Sequence, residues 1–317
     1  MSATASKIAF VDLAAQYRAI GPEIERAVLE SLRAGDYILG AKVGQFEKEF
    51  AAFLGCKHAI GVSSGLDALR LALVAAGVGP GDEVIVPAST FIATALAVSA
   101  LGATPKLVDC DASGNLDPKL LEAAFGKKVK AVIPVHLAGQ PADLEPMLAL
   151  CAKKGVPLIE DAAQAHGARY KGRRVGAFGH SGAFSFYPGK NLGAAGDAGA
   201  VVTDDDATAE RLRRLRHYGQ RVKYEHVELG LNARLDTVQA AVLSVKLVRL
   251  ESWNEARARH AAKYRELLTG VGDLQFPPLQ PGASHVYHLF YIETDRRDAL
   301  RERLAAAGIE ALIHYPI

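Results

Sequence analysis

An α/β fold is predicted, with a mostly parallel central sheet flanked by helices and a smaller C-terminal α/β unit. Three features of the 317-residue sequence carry that expectation. Short apolar runs alternate with helical patterns as far as residue 163. The runs are near-continuous rather than alternating, as in parallel strands covered on both faces. A long helical pattern then leads to a short strand–helix–strand series at the C-terminus.

Each element follows from its own residues. GPEIERAVLESLRAG (21–35) has helical periodicity closed by Gly35, and VGQFEKEFAAFLG (43–55) reads the same way. The strand HAIGV (58–62) precedes the helix GLDALRLALVAAG (65–77), and DEVIVP (82–87) precedes STFIATALAVSALG (89–102). TPKLVDCD (104–111) precedes NLDPKLLEAAFG (115–126), VKAVIPVH (129–136) precedes ADLEPMLALCAKKG (142–155), and VPLIEDAA (156–163) closes the series. Repeated βα spacing of this kind predicts ligands at the carboxyl ends of the strands. SGAFSFYP (181–188) and AGAVVTDD (198–205) read as strands around a Gly-rich loop. A helix (206–217), a polar loop (223–232) and a long helical pattern (233–269) follow, then a strand (286–294), a helix (296–307) and a strand start (308–313). The chain is expected to divide into a large unit, 1–240, and a small one, 241–317. The small unit has little to cover its core and is expected to be incomplete.

Composition excludes several classes. Half the residues are apolar and 23% are charged, and the net charge of +2 is spread along the chain, so no nucleic-acid stripe is implied. Cys56, Cys110 and Cys151 lie far apart, with no CxxC pair and no metal spacing, which fits a reducing compartment. The N-terminus shows no leader pattern, and no run of about 18 apolar residues predicts a membrane span, so the cytoplasm is the expected location. His136, His166 and His180 have no ligand spacing, and no metal is expected. Neither GxGxxG after a strand nor GxxxxGK[ST] occurs.

Two residues point to chemistry. Lys190 lies between two apolar strands, in a loop carrying Gly189, Gly193, Gly196 and Gly199, with Gly182 at the start of the preceding strand. Glycine permits close approach of a ligand to the backbone, so Lys190 is either a turn residue or a functional amine. Asp161 follows a buried strand, where it either caps the next segment or serves a ligand. A pyridoxal cofactor needs such a pair: an amine, and a buried carboxylate that keeps the pyridine nitrogen protonated. Its phosphate needs donors, and Ser63, Ser64 and Gly65 open a helix whose first amides are unpaired. Ser185 adds a hydroxyl. Phe91 either packs in the core or stacks on a ring, and Gln164 either reaches a ring oxygen or is a polar loop residue.

Together SSGLDAL (63–69), PASTFIATA (87–95), IEDAAQAHGA (159–168), FSFYPGKNLGAAGDAG (184–199), HYGQ (217–220) and LNARLDTVQAAVL (231–243) resemble the DegT/DnrJ/EryC1/StrS family. The resemblance runs from FVDLAAQY (10–17) to IHYPI (313–317). It implies a pyridoxal-phosphate-dependent transferase of fold type I, the aspartate aminotransferase fold. The implied activity is transfer of an amino group from an amino acid, expected to be glutamate, to a nucleotide-linked keto sugar. A UDP- or dTDP-linked 3-keto sugar is the expected substrate.

The resemblance also implies residue roles. Lys190 looks like the Schiff-base lysine and catalytic base, and Asp161 like the partner of the pyridine nitrogen. Gln164 resembles the residue at the ring oxygen and Ser185 the phosphate hydroxyl, while Ser64, Gly65 and Leu66 occupy the phosphate turn. Asn232 is similar to an asparagine that reaches the phosphate in the neighbouring subunit, implying a homodimer with shared sites. Arg234, His314 and Tyr315 look like sugar-nucleotide contacts.

Two departures stand out. Leu66 replaces the usual Thr, and members usually continue for tens of residues past HYP. Dehydratases of the same family carry His in place of Lys190, so that alternative and a non-catalytic regulator rank behind the transaminase. Neither a nucleic acid nor a membrane is an expected partner.

Overall fold

The computed structural model describes residues 7–316. Residues 1–6, part of the segment expected to hold no leader, and Ile317, the end of the resembling stretch, lie outside the described residues. The chain opens with helices α1 (Leu13–Ala34) and α2 (Ala41–Leu54). It then alternates β1 (His58–Val62), α3 (Gly65–Ala75), β2 (Glu83–Pro87), α4 (Ala93–Ser99), β3 (Thr104–Val108), α5 (Pro118–Ala124), β4 (Val129–Val132), α6 (Leu144–Lys154) and β5 (Ile159–Asp161). Two short strands, β6 (Arg169–Tyr170) and β7 (Arg173–Arg174), precede β8 (Ser181–Ser185) and β9 (Gly199–Thr203). Next come α7 (Asp206–Leu215), a hairpin of β10 (Gln220–Val222) and β11 (Glu225–His226), α8 (Thr237–Leu247), α9 (Leu250–Leu268), β12 (Ala283–Ser284) and α10 (Arg297–Ala306).

Local chemistry sets the ends. Asp12 caps α1 by accepting from the Ala15 amide at 2.7 Å, and Gly35 closes it at φ +65°. Asp205 caps α7 through the Thr208 amide at 2.6 Å.

The strands form the expected α/β layer. β3 and β4 both pair with β2 in parallel, and β5 pairs with β8 in parallel. Parallel bridges Val132↔Leu158 and Val135↔Asp161 join the two groups. The resulting order is β3-β2-β4-β5-β8-β9-β1, in which β9 runs antiparallel to both neighbours. Both faces are buried. One carries Phe46, Phe50, Phe184 and Phe186, and the rings of Phe50 and Phe184 meet edge-on with centroids 5.0 Å apart. The other carries Ile60, Leu69, Leu71, Val84, Val86 and Leu212.

Two expectations change. The long helical pattern breaks between α8 and α9 at Val248 and Arg249, where Arg249 turns back to bond the Val245 carbonyl at 3.0 Å and Glu23 at 2.8 Å. The strand expected over 286–294 does not form. Tyr287 has φ +47°, which interrupts an extended run, and the amides of Val286 and Leu289 bond instead to the carbonyls of Gly139 (3.0 Å) and Ala138 (3.2 Å). Among the described residues no helix is long and apolar enough to cross a membrane, and no group of three or more His, Cys, Asp or Glu is placed to hold a metal ion.

Candidate active site at the carboxyl end of the sheet

Asp161 is the last residue of β5, buried at 5% exposure. Its Oδ2 accepts from the Thr94 hydroxyl at 2.8 Å and its Oδ1 from the Ala163 amide at 3.1 Å. Burial pushes its carboxyl up, against the opposing pull of Thr94, Ala163 and the nearby Lys190 amine. Lys190 follows β8 in a turn closed by its own amide on the Tyr187 carbonyl at 2.8 Å. Burial lowers the Lys190 amine to about 8, with the Asp161 charge acting in the other direction. Each group therefore feels the other while both pay for lost water.

The turn between β1 and α3 lies against β8. Ser64 caps α3 by accepting from the Asp67 amide at 3.1 Å, which leaves the first-turn amides of Gly65 and Leu66 without helical partners. A side chain at residue 65 would put a Cβ 2.5 Å from Ser185 Cβ, so only glycine lets this helix end approach the Ser185 hydroxyl so closely. Ser185 Oγ accepts from the Tyr187 amide at 3.3 Å, and Leu66 is 37% exposed.

Gln164 lies one turn past Asp161 and is buried. Its Oε1 accepts from the Ala138 amide at 2.6 Å and its Nε2 donates to the Tyr315 hydroxyl at 2.8 Å. The ring of Phe91, half exposed, lies 5.6 Å from that of Tyr315, and His314 stacks on Phe10 at 5.4 Å. Burial and the Lys190 charge hold His314 below its ordinary range. Lys190, Asp161, Gln164, Tyr315 and Phe91 thus share one neighbourhood, with Ser64, Gly65 and Ser185 forming a second corner.

Asn232 and Arg234 make different contacts. Asn232 is exposed and bridges His217, while Arg234 lies 3.3 Å from His217 Nδ1 and over the Tyr218 ring.

Sequence reasoning missed four residues. Thr94 is 1% exposed and holds Asp161 from 67 positions away. His136 and Glu160 form a fully buried pair next to it. Asn191, adjacent to Lys190, donates to Asn254 Oδ1 and to the Val286 carbonyl, both at 2.9 Å, and so anchors the lysine turn. The one available signal was adjacency: Glu160 and Asn191 stand beside the two residues that the strand ends had already marked.

The donor set fits pyridoxal phosphate. The two open helix amides and the Ser185 hydroxyl suit a phosphate, the buried carboxylate with no basic partner in hydrogen-bond reach among the described residues suits a protonated ring nitrogen, and the amine suits a carbonyl carbon.

The family model described as the DegT/DnrJ/EryC1/StrS aminotransferase family matches residues 18–317. The chain is 51% identical over 312 residues to dTDP-3-amino-3,4,6-trideoxy-alpha-D-glucose transaminase of Streptomyces venezuelae, covering 98% of this chain and 82% of that one. It is 47% identical, over 98% of this chain and 84% of each relative, to UDP-N-acetyl-3-dehydro-alpha-D-glucosamine 3-aminotransferase of Acidithiobacillus ferrooxidans and to a pleiotropic regulatory protein of Geobacillus stearothermophilus. The solved structure of S. venezuelae DesV in complex with a ketimine intermediate superposes with TM-score 0.97 at 51% identity, covering 98% of this chain and 84% of that one. NtdA of Bacillus subtilis, solved with bound cofactor PMP, gives TM-score 0.91 at 32% identity, covering 98% and 73%.

Proposed function

The chain belongs to the DegT/DnrJ/EryC1/StrS aminotransferase family and is a sugar-nucleotide aminotransferase, and from that premise we propose its cofactor, substrates and assembly. The cofactor is pyridoxal 5′-phosphate, as its family implies. The donor is glutamate and the acceptor a dTDP- or UDP-linked 3-keto sugar. The names of the relatives at 51% and 47% identity support that acceptor class. The observation that carries the reading is Lys190, with its amine lowered to about 8, beside the buried Asp161.

When bound, pyridoxal phosphate supplies an electron sink for the carbon that gains or loses the amino group. The residues do the rest. Asp161 accepts a hydrogen bond from the ring nitrogen and favours its protonated form. Ser64, Gly65, Leu66 and Ser185 bind the phosphate at the start of α3, and the Leu66 amide serves although its side chain donates nothing. Gln164 would offer an N–H to the ring oxygen, and Phe91 would hold the ring by stacking. Lys190 moves the proton. An amine near 8 is partly neutral at physiological pH, so it takes a proton from the donor carbon far more readily than an ordinary lysine. His314 and Tyr315 contact the sugar nucleotide.

We propose a homodimer in which Asn232 and Arg234 reach the site of a second copy. The exposure of Asn232 and of Tyr224, Val227 and Leu229 around the β10–β11 hairpin supports it. The division near residue 240 is kept as the domain proposal. The cytoplasm is kept as the location, supported by three cysteines that form no disulfide. A regulatory role is the second reading, because one relative at 47% identity is named a regulatory protein. The intact Lys190 and Asp161 pair favours the enzyme over it.

The test is direct. After incubation with pyridoxal phosphate and reduction with borohydride, mass spectrometry should find the added mass on the Lys190 peptide. A separate, unreduced sample should consume glutamate beyond one equivalent per site only when a nucleotide-linked keto sugar is supplied. Binding without turnover would leave the regulatory reading.

A further inference from the structure

Glu160 is fully buried on β5, and strand alternation turns it to the face opposite Asp161. Its Oε2 accepts from His136 Nε2 at 3.1 Å and from the Gly176 amide at 2.7 Å. Its Oε1 accepts from the amides of Phe178 at 2.6 Å and Gly179 at 2.9 Å. Burial pushes this carboxyl up, but the His136 hydrogen bond and the amides outweigh it and hold Glu160 below the ordinary carboxylate range. His136 is equally committed. Its Nδ1 accepts from the Ala142 amide at 3.1 Å, so Nε2 carries the proton given to Glu160. Its backbone amide donates to the Asp161 carbonyl at 3.0 Å.

The segment that His136 ties down is the one that orients Gln164. From His136 the chain turns through Leu137–Gly139, where Ala138 has φ +58° and Gly139 φ +95°. A Cβ at residue 139 would lie 2.9 Å from the Gln164 carbonyl, so glycine lets the turn press against Gln164. In that pose the Ala138 amide donates to Gln164 Oε1 at 2.6 Å. An amide whose oxygen is taken by a backbone N–H presents only N–H to its other side. One of those hydrogens goes to the Tyr315 hydroxyl at 2.8 Å.

We propose that the buried Glu160–His136 pair is a positioning device, holding the 136–142 turn so that Gln164 offers the site a donor and never an acceptor. The ligand atom opposite Gln164 must then accept, as a ring oxygen does. The inference rests on the aminotransferase reading for the identity of that ligand, but the locked turn does not depend on it.

Glu160→Gln replaces an acceptor of four hydrogen bonds by a group that cannot accept on its nitrogen. In the protein without cofactor, amide hydrogen exchange of the peptides spanning 136–142 and 176–179 should speed up about tenfold or more while the rest of the sheet is unchanged. The pyridoxal phosphate Kd should rise about tenfold, and kcat should fall with the keto-sugar KM unchanged. If Glu160→Gln does not fold, His136→Asn decides instead. Its oxygen can still take the Ala142 amide, but it loses the Glu160 contact. Gln164→Glu completes the test: it keeps the Ala138 contact, removes the donor, and should weaken pyridoxal phosphate while leaving exchange of 136–142 unchanged. Unaltered exchange in 136–142, or an unaltered Kd beside a merely lowered Tm, overturns the proposal. Failure of the unmodified protein to bind pyridoxal phosphate sinks the function reading instead, and the exchange result still judges the turn.

Discussion

The Thr94 hydroxyl donates to Asp161 Oδ2 across 2.8 Å, and Thr94 Oγ1 lies at the same distance from Thr90 Oγ1. Both Thr94 and Asp161 are buried, so this contact acts where water does not compete. Burial raises the Asp161 carboxyl and Thr94 opposes it. Thr94→Val keeps the shape and deletes the donor. A hydrogen bond to a charged group is worth about 1.5–3 kcal/mol. The pyridoxal phosphate Kd should therefore rise about tenfold to a hundredfold, measured by fluorescence titration. A Kd within about twofold of the parent would mean that Thr94 fills space and nothing more.

Asp161 itself predicts a conflict between stability and activity. Its folded carboxyl is raised above the ordinary value of 3.8, so the folded protein holds its proton more tightly than the unfolded chain. That contribution is fully present below the unfolded value and is lost as pH rises through the folded one. Ionising Asp161 in the cofactor-free protein therefore costs stability, which Thr94, Ala163 and the Lys190 charge offset only in part. Asp161→Asn removes the charge and retains an oxygen for the Ala163 amide. The cofactor-free variant should melt at a higher temperature than its parent at pH 7, with the difference shrinking towards pH 4, while transamination is lost. A lower Tm at pH 7 would show that the carboxylate is well compensated.

The parts that sequence disclosed and the parts that it hid differ physically. β2 to β5 were legible as short runs between helical patterns, and their parallel arrangement followed from that βα alternation, whereas β1, expected in the same series, pairs antiparallel with β9. Asp161 and Lys190 were legible because a charged residue at the end of such a run has few bland explanations. The resemblance of six ordered motifs then supplied the family. Thr94, by contrast, reads as one more residue of a helix start, and its meaning depends on a partner 67 positions away. His136 and Glu160 read only as residues of two successive strands, since nothing local announces that four donors converge on one carboxylate. The missing strand at 286–294 failed for the same reason, because its amides went to the 138–139 turn.

Lys190 should titrate apart from the other lysines. Burial is the main cause of its lowered value of about 8, and the Asp161 charge raises it. Labelling of the cofactor-free protein with an acylating reagent, followed peptide by peptide, should give half-maximal rate near pH 8 at Lys190. Ordinary lysines respond near pH ~10.4. Asp161→Asn should move the Lys190 midpoint lower still, since it removes the neighbouring negative charge. The folded protein binds fewer protons than the unfolded chain between about 8 and 10.5, so stability should also rise with pH across that window, and Lys190→Met should flatten the rise. A Lys190 midpoint above pH 10 would mean that the amine is in open water and is no better a base than its surface counterparts.

The shared-site proposal makes the most demanding prediction, because it requires two defective chains to restore one another. Lys190 belongs to the pocket of its own chain beside Asp161, whereas Asn232 is exposed and its contacts lie with His217. If Asn232 serves the pocket of a second copy, Lys190→Ala and Asn232→Ala each inactivate a homodimer, but a mixed dimer contains one intact pocket and one carrying both lesions. Equal amounts, exchanged at random, give half mixed dimers, so roughly a quarter of the parent's sites are restored. The two variants should be unfolded together, refolded with pyridoxal phosphate, and assayed against each alone. Recovery near that fraction, dependent on co-refolding, is the expected outcome. Activity no greater than the sum of the separate variants would mean that Asn232 acts within its own chain, and that each copy builds its site without the other.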